Sequence, residues 1–184
     1  MYTDLCLADT LIRTNASLKI IFHCKTIPWF VSDTKPSDFE WTLAQLETMG
    51  FTDQITQWRA WIKSGIWTVK TDEFWCTPLS FWNLPKHGGF AYKDIQSAGL
   101  TIYKGDLNYR KMVFDAEWPT TTPFRVAIGP LHSPDSTPFL MLRTSKSDVV
   151  VGLKPGQEEE LKSKDPNWMV NGKWGMIQYY EYHE

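Results

Sequence analysis

Leu100-Thr101-Ile102-Tyr103-Lys104-Gly105-Asp106-Leu107-Asn108-Tyr109-Arg110-Lys111 is the stretch on which the reading of the fold turns. Leu100–Tyr103 is apolar and β-prone and reads as a short buried strand. Gly105 breaks it, and Asp106 opens a helix that the pattern carries through Met112, Val113 and Phe114. A strand that turns directly into a helix leaves unpaired backbone N–H groups at the turn, which suits an anion and phosphate in particular. Lys104, Asn108, Arg110 and Lys111 add donors of the right type around it.

The same alternation recurs on both sides of this turn. Towards the N-terminus, Leu5, Ala8, Leu11 and Ile12 fall at helical spacing and predict a helix over residues 2–13 that ends at Asn15. Leu18–Cys24 is the best strand of the chain, and Ile66–Lys70 is a second, shorter one. Helices are predicted over Phe39–Met49, capped from Ser37-Asp38, and from Asp53 to Gly65. Asp72–Gly89 is irregular, with Pro78, Pro85, Gly88 and Gly89 among aromatic residues; Phe90–Ser97 reads as a helix. Towards the C-terminus, strands are predicted at Phe139–Leu142, Asp148–Leu153 and Trp174–Tyr180, with a short helix at Gln157–Ser163. Strands alternating with helices predict an α/β sandwich with a mostly parallel sheet and right-handed crossovers. A chain of 184 residues fits a single domain over residues 1–184.

The composition narrows the function classes. Nineteen basic and 21 acidic residues give a formal net charge of −2, so there is no whole-chain attraction to nucleic acid or to an anionic membrane. Ten tryptophans are not interleaved with Lys and Arg as a nucleic-acid platform requires, and they read as core and loop anchors. No apolar run reaches the roughly 18–20 residues of a membrane span, and no basic-then-apolar leader opens the chain. Cys6, Cys24 and Cys76 form no CxxC pair, which argues against a zinc ribbon or a disulfide framework and for reduced thiols in a cytoplasmic protein. His87-Gly88-Gly89 lacks the strand and helix context of a nucleotide-binding glycine loop. Nothing in the sequence fixes an oligomeric state.

Three polar clusters lie at or beyond predicted strand ends: Asp33, Asp106–Lys111 and Arg143–Lys146. In open α/β sheets ligands bind at that edge. One carboxylate able to hold a hard cation, together with several cations able to neutralise phosphate, points to phosphate-ester chemistry. Taken alone, Asp106 is also a plain helix cap and Arg143 is equally a structural ion pair.

The stretches Lys104–Lys111, Arg143-Thr144-Ser145-Lys146 and Ile27-Pro28-Trp29-Phe30-Val31-Ser32-Asp33 resemble the metal-dependent damage-control phosphatases. The nearest branch is the sugar-phosphate phosphatase subfamily III, with its RTxK motif at Arg143-Thr144-x-Lys146. The resemblance runs from about Tyr2 to Tyr179. It implies a Rossmann-like α/β/α sandwich and hydrolysis of sugar phosphates such as fructose 1-phosphate and fructose 6-phosphate, with Mn, Co, Ni or Mg as divalent metal. It further implies Asp33 as metal ligand, catalytic and substrate-binding residue, Lys146 as catalytic and substrate-binding residue, and Asp106, Leu107, Asn108, Tyr109 and Arg110 as substrate contacts. The family's Asp-Asn metal pair would fall before Met1 in this register, so an N-terminally incomplete sandwich is expected. Two other readings stand beside hydrolysis. One is an inactive fragment or pseudoenzyme that at most binds sugar phosphate. The other is a carboxylate methyltransferase, which a missing glycine-rich turn disfavours.

Overall fold

A computed structural model of the chain describes residues 1–30 and 32–183. It divides into two compact units, Met1–Thr77 and a second that begins at Pro78. Among the described residues no helix is long and apolar enough to cross a membrane.

The first unit packs three helices and a two-stranded sheet. Helix α1 (Tyr2–Thr14) buries Leu5, Ala8, Asp9 and Ile12, the face its i, i+3, i+7 spacing predicts. Helix α2 (Pro36–Thr48) begins earlier than the sequence suggested. Proline at its first position needs no N–H partner, and the Asp38 carboxylate reaches back 2.9 Å to the Lys35 amide. Helix α3 (Thr52–Ser64) ends at Gly65, whose φ of 76° is the left-handed conformation that glycine takes without strain. Strands β1 (Ile20–Cys24) and β2 (Trp67–Thr71) pair in parallel, Ile20 opposite Trp67 and Cys24 opposite Thr71.

The core of this unit joins Leu5, Ala8 and Ile12 to Phe39, Leu43 and Leu46, and to Ile55, Trp58 and Trp67. Trp58 and Trp67 have no exposed surface, and their rings lie 5.4 Å apart. Two large aromatics buried in contact contribute roughly 2–3 kcal/mol each. The indole N–H of Trp58 donates to Asp9 at 2.8 Å, and Arg13 meets the same carboxylate at 2.7 Å. The one acidic residue on the inner face of α1 is thereby paired, as burial demands.

The second unit holds helices α4 (Leu84–His87), α5 (Gly89–Ser97), α6 (Asp106–Met112), α7 (Phe124–Ala127) and α8 (Gln157–Lys164). Its sheet has the order β3 (Thr101–Lys104), β4 (Phe139–Thr144), β5 (Gly175–Tyr180). Strands β3 and β4 are parallel, whereas β4 and β5 are antiparallel, with Phe139 opposite Tyr180 and Thr144 opposite Gly175. Pairing is therefore mostly parallel, in a mixed α/β chain compatible with a Rossmann-like fold. The strands are shared between two small sheets. The irregular middle resolves into single 3-10 turns at Glu73–Cys76 and Phe81–Asn83, followed by the one-turn α4.

Asp148–Leu153, expected as a strand, joins neither sheet. Val149, Val150 and Val151 are buried as a strand would be, but the backbone hydrogen bonds along this segment go to groups outside any sheet. The Val151 amide donates to the Tyr109 hydroxyl at 3.0 Å, and the Val151 carbonyl accepts from Gln178 at 2.9 Å. The Gly152 and Leu153 amides donate to Thr122 and Thr120 carbonyls at 2.8 and 2.9 Å. Side chains and loop carbonyls do here what a neighbouring strand does in a ladder.

Candidate functional site

The turn from β3 to α6 is built as the sequence implied. The Gly105 amide extends the β3–β4 pairing by donating to the Leu142 carbonyl at 2.8 Å. A φ of 105° then swings the chain into α6, a conformation closed to residues with a Cβ. Asp106 is the first residue of the helix.

What the turn presents is a carboxylate already engaged. Oδ1 of Asp106 accepts from Arg143 Nε at 2.7 Å, from the Lys146 amide at 3.1 Å and from the Ser147 hydroxyl at 3.3 Å. Among the described residues none of its hydrogen bonds uses Oδ2. The Arg143 side chain has no exposed surface, and that of Asp106 is 16% exposed. Arg143 Nη2 donates to the Ser147 carbonyl at 2.9 Å and to its hydroxyl at 2.8 Å, and Nη1 donates to the Val149 carbonyl. The guanidinium lies 4.2 Å from the centre of the Tyr109 ring. Of the two readings the sequence left open for Arg143, the structure shows the structural ion pair. One buried cation fixes Asp106, Ser147 and the start of the 148–153 segment together.

Lys146 rides on this arrangement. Its backbone is tied to Asp106, yet its side chain is exposed, and its ammonium has no ion pair or hydrogen bond among the described residues. The other expected substrate contacts are placed differently. Tyr109 is fully buried beneath Arg143, so it offers no surface to a ligand and acts by pinning Val151. Burial pushes its phenol up, which keeps it neutral. Arg110 is held by Asp115 in a two-pronged pair at 2.6 and 2.7 Å. Asn108 donates to the Lys104 carbonyl at 2.7 Å, and Leu107 is half-buried. Lys111 is buried, with its ammonium 5.4 Å from the Phe81 ring centre.

Asp33 belongs to the first unit. Oδ2 of its carboxylate accepts from the Trp29 and Phe30 amides at 3.1 and 2.8 Å and pairs with Lys25 Nζ at 3.2 Å. The Asp33 amide returns a bond to the Phe30 carbonyl at 2.9 Å. Val31, within the same stretch, lies outside the described residues. The carboxylate is thus the closing group of a tight loop, with the Lys25 ammonium on the same oxygen, Oδ2, as the two amides. Among the described residues no three His, Cys, Asp or Glu side chains form a group able to hold a metal ion. Asp33, expected as a metal ligand, thus stands in this loop with Lys25 beside it, a single carboxylate that a divalent ion would share with further donors.

The strongest organising feature, the burial of Arg143, was visible in outline. Phe139, Met141 and Arg143 occupy alternate positions of β4 and all face inward, so period two alone commits Arg143 to the interior. A buried arginine then requires a carboxylate. The parts played by Ser147 and Lys25 carried no comparable signal.

Comparison with known proteins gives the family of the chain. The domain model described as the damage-control phosphatase ARMT1-like domain matches residues 1–161. "Damage-control phosphatase ARMT1" of Danio rerio is 39% identical over 186 residues, covering 100% of this chain. The proteins of that name from Homo sapiens and Bos taurus are 37% and 40% identical over 182 residues, with 97% of this chain covered. The chain spans about 41% of the length of these curated relatives. On the extent of the domain match, the chain belongs to the ARMT1-like damage-control phosphatase domain family.

Proposed function

We propose that the second unit binds the phosphate of sugar phosphates such as fructose 1-phosphate and fructose 6-phosphate, as the recognition side of a phosphoric monoester hydrolase. One observation carries the reading: Arg143 and Asp106 hold the Lys146 backbone while the Lys146 ammonium stays exposed and unpaired among the described residues. A phosphate dianion meeting that ammonium forms a charge-assisted hydrogen bond. In hydrolysis the same cation offsets charge on the phosphoryl oxygens. Oδ2 of Asp106 accepts a sugar hydroxyl, and the Asn108 amide oxygen is a second acceptor nearby in the helix. Arg110 joins only when a ligand oxygen outcompetes Asp115.

The family expectation of Mn, Co, Ni or Mg is part of the full hydrolytic reading; Asp33 would be one of the residues holding such an ion, which would supply Lewis-acid polarisation of the phosphoryl group. A second reading is that the 184 residues recognise sugar phosphate without turning it over; it is motivated by the described residues, among which no three His, Cys, Asp or Glu side chains group to hold a metal ion. Calorimetric titration of fructose 1-phosphate, with phosphate release measured in parallel in the presence of Mn or Co, tests both. Binding weakened about tenfold in Lys146→Ala is expected, since one charge-assisted hydrogen bond is worth about 1.5 kcal/mol. Equal binding by Lys146→Ala overturns the recognition reading. Metal-stimulated release that Asp33→Ala abolishes overturns the non-catalytic one.

A further inference from the structure

The turn between α8 and β5 makes every backbone contact that Ser145 has across the loop, and its glycine lies under Lys146. The Ser145 amide donates to the Trp174 carbonyl at 2.8 Å, and the Ser145 carbonyl accepts from the Gly172 amide at 2.9 Å. A Cβ on Gly172 would lie 3.8 Å from Lys146 Cε and 3.9 Å from Lys146 Cγ, so the lysine stem passes along the turn. The turn has its own organiser. Asp165 Oδ2 accepts from Asn171 Nδ2 at 2.6 Å and from the Trp174 indole N–H at 3.0 Å, while Oδ1 accepts from the Asn167 amide at 3.1 Å. One carboxylate therefore spans the turn from its first residue to its last. This segment lies beyond residue 161, where the domain match ends.

We infer that Asp165 is a positioning residue for Lys146: it shapes the Asn171–Trp174 turn on which the lysine stem rests, and so aims the ammonium. Lys146 is thereby held from two sides. Asp106 fixes its amide, and the Asp165 turn fixes the peptide before it and the stem of its side chain. An unsupported lysine loses rotamer freedom on engaging a ligand, and support from the turn lowers that cost. The direction of the effect rests on the recognition proposed above, but the positioning itself does not.

The experiment uses the full chain and four proteins: wild type, Asp165→Ala, Trp174→Phe and Lys146→Met. Trp174→Phe removes the indole donor and leaves a smaller aromatic ring in its place, so it stands in if Asp165→Ala does not fold. The first readout needs no ligand. Lysines are reductively methylated with carbon-13 formaldehyde, and the Lys146 resonance is assigned by its absence in Lys146→Met. We expect a shifted, broadened signal in wild type that moves towards the free-lysine position and sharpens in Asp165→Ala, and partly so in Trp174→Phe. The second readout is fructose 1-phosphate affinity in a double-mutant cycle. Asp165→Ala is expected to weaken binding about fivefold in wild type and to have no further effect on Lys146→Met, since coupled residues are not additive. An unchanged Lys146 resonance in both folded variants overturns the inference. So does an equal loss of affinity in the two backgrounds. Absence of sugar-phosphate binding by wild type, with the resonance shift intact, overturns the recognition reading and leaves positioning supported.

Discussion

Replacing Arg143 by Met leaves a carboxylate and two carbonyls without the cation they surround. The wild-type guanidinium donates to Asp106, Val149 and Ser147 and lies over the Tyr109 ring, with no exposed side-chain surface. Removing one member of a buried ion pair costs about 3–5 kcal/mol, mostly through the charge left behind. Asp106 keeps 16% of its side-chain surface, so water reaches it and the low end applies. The expected loss is about 3 kcal/mol. Arg143→Lys restores a charge but not the fork, and one ammonium cannot reach all the acceptors; about 1–2 kcal/mol is expected. The double variant Arg143→Met, Asp106→Asn removes the stranded charge, and it should be more stable than Arg143→Met alone. Urea unfolding followed by tryptophan fluorescence, with linear extrapolation to water, gives all three values. Amide exchange at Lys146 and Val151 should quicken in Arg143→Met before the rest of the unit is affected. A loss below about 1 kcal/mol, the value of an exposed surface pair, or a double variant no better than the single one would refute the account of Arg143 as organiser.

Three further outcomes follow from the same contacts. Burial alone would raise the Asp9 carboxyl, but hydrogen bonds from Arg13 and Trp58 and the Arg13 charge outweigh it and hold the group below its ordinary value. A lowered carboxyl contributes stability in full above the ordinary carboxylate range and loses it as pH falls from about 4 through the folded value. In urea unfolding, Trp58→Phe should therefore lose more stability at neutral pH than in acid, by about 1 kcal/mol for the hydrogen bond to the charged carboxylate, on top of a pH-independent cost of the smaller ring in the core; an equal loss at both pH values would contradict this. The Arg110–Asp115 pair has side chains 31% and 46% exposed, so Arg110→Ala should cost less than about 1 kcal/mol in the same unfolding assay. Millimolar Mn should leave the thermal midpoint of the chain unchanged, because a ligand stabilises only what it binds and no three His, Cys, Asp or Glu side chains group among the described residues; a rise of several degrees that Asp33→Ala removes would show that Asp33 holds the ion.

Much of the fold could be read from local pattern. The helical faces of α1, α2 and α3 and the apolar runs of β1 to β5 fall where spacing and β-prone residues put them. What misled was Asp148–Leu153, because a buried valine run looks the same whether a strand or a set of side chains satisfies its backbone. The distribution of strands between two sheets and the antiparallel pairing of β5 depend on contacts far apart in sequence, which no window of residues encodes. The site was legible as a set of positions and less so as a set of roles. Gly105-Asp106 forms the expected turn, but Asp106 spends one oxygen on Arg143, and Tyr109 is core. Asp33 has the residue type of a metal ligand, and its place in a tight loop closed by the Trp29 and Phe30 amides, with Lys25 beside it, depends on a pairing that its own stretch does not spell out.

The central claim is that a sugar phosphate is recognised at Lys146 on the Asp106–Arg143 support. Nitrogen-15 amide spectra recorded while fructose 1-phosphate is added to the wild-type chain test it most directly. The account predicts shifts that saturate and centre on Ser145, Lys146 and Ser147 and on the first turn of α6, and that vanish in Lys146→Ala. Saturating shifts centred elsewhere, with these amides unmoved, would contradict it.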